Sequence, residues 1–509
     1  MPSDCRRSRT RARADVRLFE ALGQVDSDAV ALDDGRRSIP YGSLPRLIDR
    51  EREWLRAGGG ERYALAADNG VGWALADLAL HTGAWPSVPL PGAFTGALKR
   101  HALDDAGIDT LLTDDVEGAR ALLPDWTSDG IAPGSGLYRF RRTVEPARRP
   151  SLPDGTRKIT YTSGSTARPK GVCLDGAALE AVALAVADAT ADLPIARHLC
   201  VLPLWTLLEN VAGLYAPLLR GATCLLPSCT ATGMGHGSLD TQKLLATIAT
   251  QSPDSLILVP ELLQALVEAA ERGWAVPRSL QFVAVGGARV SGTLLDRADA
   301  VGLPVFEGYG LSECASVVCL NTPRARRAGT VGRALPHVRV RLDEGGQLRV
   351  AGSVMLGYLG DRTRPRGGEH ATGDLGEVDD DGFVRLTGRA GHRFITSYGR
   401  NVSPEWIESE VSQRLGAAPV FAFGEARPFV VALVGAGPAA ADDAAIERAI
   451  AGANAALPEY ARIRRWSRTA QPFSFDDGTL SANGRPRRAE IHARHAALIE
   501  ALYTEAIAS

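Results

Sequence analysis

Tyr161-Thr-Ser-Gly-Ser-Thr-Ala-Arg-Pro-Lys-Gly-Val172 is a run of hydroxyl and glycine residues closed by a Pro-Lys-Gly turn. Ile159 and Thr160 lead into it as a β-branched, strand-like entry, and an Ala-rich helical segment, Gly176 to Leu193, follows behind Asp175. Small residues let a backbone approach a ligand closely. Thr162, Ser163, Gly164, Ser165 and Thr166 offer hydroxyl and N–H donors to phosphate oxygens, and Lys170 adds a cation. A Walker loop is excluded, because it needs Gly-Lys-Ser/Thr opening the helix. Taken alone, the stretch is equally a polar surface turn.

At 509 residues the chain calls for two or three domains. The formal net charge of −2 gives no general reason to bind nucleic acid or an anionic membrane. Lysine occurs only at 99, 158, 170 and 243, so arginine supplies 53 of the 57 basic residues. With abundant Ala and Gly, this is read as a coding bias. The basic start, Arg6 to Arg13, lacks the apolar run of a secretory signal, and residues 1–14 are expected to be a solvated, disordered tail. No stretch is long and apolar enough to span a bilayer. Seven cysteines without a C-x-x-C pair read as reduced thiols, and the expected location is the cytoplasm.

Between 156 and 310, strand-like runs (His198–Leu204, Ala222–Leu226, Ser255–Val259, Leu280–Val285, Pro304–Glu307) alternate with helical runs such as Leu239–Thr250 and Glu261–Arg272. That alternation predicts a mostly parallel sheet covered on both faces. Shorter strands and helices alternate over 15–125, and the Pro/Arg-rich stretch Arg141–Asp154 reads as a linker. From Gly329 to Gly360 the pattern becomes strands and Gly turns, a small β unit. After Arg389 a helix from Pro404, strands at Val420–Phe423 and Phe429–Val434, and a helix near Ala441–Ala456 predict a compact α+β segment. The expected fold is α/β: a large region 15–389 and a small, mobile α+β region 390–509.

Further motifs follow in order. Gly286-Gly287-Ala288 comes after a predicted strand; Gly308-Tyr309-Gly310-Leu-Ser312-Glu313 follows; then Thr372-Gly-Asp374, Gly388-Arg389 and the loop Ser397-Tyr-Gly399-Arg-Asn-Val-Ser-Pro. Each has a plain alternative as a turn or a surface charge. Together with Tyr161–Val172 they resemble, over essentially the whole chain, the ANL superfamily of adenylate-forming enzymes, in its acyl-CoA synthetase branch. The resemblance implies ATP or AMP, CoA and Mg²⁺ as cofactors, with the loops at 162–170 and 286–288 around the nucleotide. It implies that Tyr309 stacks on adenine, that Ser312 touches the α-phosphate, and that Glu313 helps hold the metal, a hard ion that prefers oxygen. Asp374 would take the ribose hydroxyls, Arg389 would contact ribose and phosphate, and Gly399 would let pantetheine pass. Trp205, Leu207, Leu208, Asn210 and Gly213 are the acyl-pocket candidates. Being apolar or small apart from Asn210, they favour an apolar acid over a charged amino acid.

The departures from the family pattern bear on the reaction. Leu480-Ser-Ala-Asn-Gly-Arg485 aligns with a Thr-x-x-Gly-Lys motif whose lysine bridges the substrate carboxylate and the α-phosphate, and no lysine follows Lys243. Arginine keeps the charge but is a planar, bulkier fork. Losing a well-placed contact to the transition state lowers a rate by about a hundred- to a thousandfold. Ala167 replaces a phosphate-loop glycine, Gly391 replaces a charged hinge residue, and Thr206 stands where a histidine is common. The expected function is therefore an acyl-CoA ligase, impaired in adenylation, that acts mainly on acyl-adenylate plus CoA. A separate adenylating enzyme could supply its substrate, and specialised metabolism is a fitting setting. Two alternatives stand beside this: a stand-alone adenylation enzyme loading a carrier protein, and an inert protein that binds AMP or acyl-adenylate.

Overall fold

The computed structural model describes residues 25–144, 149–162, 169–234, 239–361, 368–392, 394–398, 400–416, 418–436, 442–474, 477–480 and 486–504. Two large sheets dominate. The first has eight strands and is parallel at its centre, through Thr110–Thr113, Tyr63–Ala66, Ser87–Pro89 and Thr156–Thr162, with antiparallel strands at both edges. The second has nine strands and runs parallel from Val30–Asp33 through Thr223–Leu225, Arg197–Leu199, Ser255–Leu258 and Phe282–Val285 to Val305–Leu311. Helices Val71–Thr82 and Gly176–Ala189 share one buried core with strands of both sheets. Ten of the twelve residues of Val71–Thr82 are buried, which an apolar-all-round helix requires.

The alternation at 156–310 therefore does not build one sheet. Thr156–Thr162 and Lys170–Asp175 form an antiparallel hairpin in the eight-stranded sheet, whereas the strands from Arg197 onward lie in the other. Arg141 and Arg142, expected in a linker, end the strand Tyr138–Arg142, paired with Thr110–Thr113. The run from His198 is strand only as Arg197–Leu199. Beyond it the backbone leaves the ladder, because Leu202 N donates to the Glu209 carboxylate at 3.3 Å and Leu204 N donates to Asn69 Oδ1 at 2.7 Å.

The small β unit is a four-stranded antiparallel sheet of Val338–Leu342, Gln347–Gly352, His370–Val378 and Val384–Arg389. C-terminal to it, the strands Val420–Phe423, Val430–Val434 and Ile463–Arg468 form their own sheet with helices Pro404–Ser412 and Asp443–Ala456. This segment has its own apolar core, built on Ile407, Val411, Val430, Val434 and Ile446. Among the described residues no helix is long and apolar enough to cross a membrane.

Candidate active site

Strand Val305–Leu311 switches partners midway, leaving parallel pairing with Phe282–Val285 for an antiparallel hairpin with Ser316–Leu320. The hairpin closes through a 3₁₀ turn, Ser312–Cys314, and two left-handed residues, Ala315 and Ser316 (φ 56° and 108°). A β-carbon on Gly310 would lie 1.8 Å from the Ser316 carbonyl oxygen, so only glycine fits. This geometry aims Tyr309, Ser312 and Glu313 at one cavity.

Asp374 reaches Tyr309 from the small sheet, where it stands opposite Arg389 in register. Its Oδ2 accepts from Tyr309 Oη at 2.6 Å and its Oδ1 accepts from Arg389 Nε at 2.8 Å. Thr372 Oγ1 accepts from Asp374 N at 3.0 Å and so holds the turn. Burial, then the Asp374 charge, pushes the Tyr309 phenol well above its usual range, leaving it a donor. Glu313 Oε1 accepts from Tyr358 Oη at 2.9 Å, and Lys170 Nζ lies 5.5 Å from the centre of the Tyr358 ring. Tyr358 belongs to a two-residue edge strand on Lys170–Asp175 and so joins the Lys170 hairpin to Glu313. The sequence reading missed it; an aromatic beside a glycine in the apolar stretch Val354–Gly360 was its only signal.

The cavity has a volume of about 1760 Å³. Thr162, Gly286, Gly287, Gly308 to Glu313 and Arg389 line it, as do Trp205, Leu207 and Leu208. Gly286 N donates to Leu258 O at 3.1 Å, and Gly287 takes a left-handed turn (φ 84°). Ala288 is exposed and not part of the lining. Asn210 and Gly213, expected in the acyl pocket, lie elsewhere. Asn210 accepts from Lys158 Nζ and donates to Asp77 at 2.8 Å, where it helps satisfy a fully buried ion pair. Gly213 packs behind His198 and Glu209. Ser163, Gly164, Ser165, Thr166, Ala167, Gly399 and Arg485 fall outside the described residues.

The donor set suits a nucleotide and a magnesium ion. A carboxylate has about four acceptor positions, so Asp374 keeps capacity for ribose hydroxyls beyond Tyr309 and Arg389. Magnesium takes one or two carboxylates with substrate phosphates, and Glu313 beside Ser312 offers one.

A family model described as AMP-binding enzyme matches residues 19–359, and another, AMP-binding enzyme C-terminal domain, matches 392–507. A long-chain-fatty-acid–CoA ligase of Mycobacterium bovis is 29% identical over 248 residues, 43% of this chain and 41% of the relative. The match thus spans about two fifths of that protein's length. A 3-[(3aS,4S,7aS)-7a-methyl-1,5-dioxo-octahydro-1H-inden-4-yl]propanoyl:CoA ligase of Mycobacterium tuberculosis is 29% identical over 463 residues, 81% of this chain and 87% of the relative. Among solved structures, an anthranilate CoA ligase in complex with anthranoyl-AMP superposes with a TM-score of 0.74 at 17% identity, covering 94% of this chain and 96% of that one.

Proposed function

This chain belongs to the AMP-binding enzyme family, and from that premise we propose that it is an acid–thiol ligase that makes an acyl-CoA thioester through an acyl-adenylate. The observation that carries the reading is the cavity itself. One wall holds Tyr309, Arg389 and Glu313, suited to a nucleotide, and the cavity continues past Trp205, Leu207 and Leu208, suited to an apolar acyl group. ATP or AMP, Mg²⁺ and CoA are the cofactors this reading requires. Asp374 and Arg389 would hold the ribose, and Glu313 would help hold the metal. The supply of ATP and CoA puts the work in the cytoplasm.

In the first step a carboxylate oxygen attacks the α-phosphorus and pyrophosphate leaves. Positioning and charge stabilisation dominate there. In the second, the CoA sulfur attacks the acyl carbon, its proton is lost, and AMP leaves. Proximity dominates there. The reading gives this chain the second step chiefly, because Arg485 stands at the lysine position of the pattern it resembles and reaches the first transition state less well. A separate adenylating enzyme would then supply the acyl-adenylate.

The test runs ATP/pyrophosphate exchange beside thioester formation from supplied acyl-adenylate and CoA. The native protein should form thioester readily and exchange weakly, and Arg485→Lys should raise exchange. Robust exchange by the native protein with no gain from Arg485→Lys would restore an ordinary two-step ligase. Failure to turn over any supplied acyl-adenylate would leave a binding protein.

A further inference from the structure

The apolar branch of the cavity has a polar station that the ligase reading does not use. His198 and Ser255 both line it, 4% and 3% exposed, among Leu202, Ala212, Ile257, Phe282 and Ala284. His198 Nδ1 lies 2.8 Å from Ser255 Oγ, and its Nε2 lies 3.4 Å from Glu209 Oε1. Glu209 is wholly buried and is held by Leu202 N at its other oxygen. Two features of the fold make room for this relay. Glu209 opens a π-helical segment, Glu209–Tyr215, a rare geometry that recurs at functional sites. Gly213 faces the pair, where a β-carbon would lie 2.3 Å from Glu209 Oε1 and 3.0 Å from His198 Nε2.

Strand register sets the depth. Ser255 opens Ser255–Leu258, which pairs in parallel with Phe282–Val285, so that Leu258 is level with Val285 and Gly286 follows directly. Ser255 is level with Phe282, and four residues of strand lead from there to Gly286, which places Ser255 about 13 Å below the glycine turn beside which the adenylate would react. Ser255 lines the cavity, and its Oγ lies against His198 Nδ1. A serine hydroxyl has one donor and two acceptor positions. Whichever ring nitrogen of His198 carries the proton, a ligand hydroxyl can complete the set, since it both donates and accepts. Bonding to His198 leaves part of that set open, which a plain alkyl end at this depth cannot fill.

We propose that Ser255, bonded to His198, which Glu209 holds in turn, is a specificity-determining residue that selects an acid bearing a hydroxyl about 13 Å from its carboxyl carbon. The inference rests on the ligase reading, because that reading places the carboxyl end at the glycine turn. Arg220 also lines this branch; its Nη1 donates to Ala187 O and Thr190 Oγ1 and its Nη2 donates to Leu193 O, while its buried Nε has no partner among the described residues, so a terminal-carboxylate analogue tests whether Arg220 and not Ser255 sets the preference.

The test measures binding of non-hydrolysable acyl-AMP analogues to the full chain in matched sets: 4-(4-hydroxyphenyl)cinnamoyl against 4-phenylcinnamoyl, and 10-hydroxydecanoyl against decanoyl and its terminal-carboxylate counterpart. The hydroxylated member of at least one set should bind at least about tenfold more tightly. Ser255→Ala should bring that ratio near one, and Ser255→Thr, which keeps the hydroxyl, should preserve it. A purely structural serine would change stability and leave the ratio alone. Equal binding within both sets, Ser255→Ala weakening all members alike, or a preference for the terminal carboxylate overturns the inference and leaves the ligase reading standing. Binding of none of the analogues removes the ligase reading, and this inference with it.

Discussion

Asp374 is engaged at both oxygens by groups that also face the nucleotide wall, so its removal does more than delete one ligand contact. Asp374→Ala should weaken AMP or acyl-AMP-analogue binding by about 1.5–3 kcal/mol, the range for a hydrogen bond to a charged group. Titration calorimetry measures it, and unchanged affinity would remove Asp374 from the nucleotide site. Tyr309→Phe deletes only one of the two bonds to the carboxylate and should have a smaller effect. Glu307, two residues before Tyr309, gives a pH prediction. Burial pushes its carboxyl from 4.5 up to about 7 against the pull of Arg289 and Arg326. A carboxyl whose pKa is higher folded than unfolded binds protons better in the native state, so stability falls as pH rises between those two values. Glu307→Gln should flatten the decline of the denaturation midpoint between about pH 4.5 and 7. An unaltered slope would place the titration elsewhere.

At the scale of the element, the hairpin of Val305–Leu311 and Ser316–Leu320 presents the proposed site residues Tyr309, Ser312 and Glu313 where parallel pairing gives way to antiparallel. Its register shifts between Tyr309 and Gly310, and such bulges re-aim side chains next to active sites. Gly310→Ala would drive a methyl group into the Ser316 carbonyl oxygen and force the strands apart. The expected loss is about 1–3 kcal/mol of stability, as for overpacking elsewhere. Nucleotide-analogue affinity should fall with it, because Tyr309 and Ser312 flank the forced position. Chemical denaturation and binding measured on one sample check both. A stable variant that binds normally would show that the hairpin tolerates the opening.

Across the whole molecule, the proposed division near residues 389 and 390 rests on two separate cores. Leu199, Val283 and their neighbours belong to one, and Ile407, Val411 and Ile446 to the other. In the arrangement seen here they meet through polar contacts: Ser291 N donates to Gln413 Oε1 at 2.9 Å, and Arg414 Nη2 donates to Thr293 Oγ1 at 2.7 Å. Contacts of that kind between domains permit relative motion. The fragment 390–509 should therefore unfold cooperatively when expressed alone, with dispersed amide resonances. A molten fragment would show that it needs residues 15–389 to fold.

Order and local chemistry along the chain were enough to place the glycine-rich loops, the α/β class and a small β unit after Gly329, since hydrophobic period and turn residues act within a few positions. Resemblance of their motifs to the adenylate-forming pattern brought forward Tyr309, Glu313, Asp374 and Arg389, since the motifs follow one another in the family's order. Periodicity does not say which sheet a strand joins, so Thr156–Thr162 was grouped with the wrong neighbours. Nor does it say which way a buried polar side chain points. Asn210 turned to Lys158 and Asp77, and Gly213 proved to be clearance behind Glu209. Tyr358, His198 and Ser255 entered only with the tertiary structure. Their partners lie 45 and 57 residues away in the chain, and a hydrogen bond across that separation exists only once the sheets have set the distance.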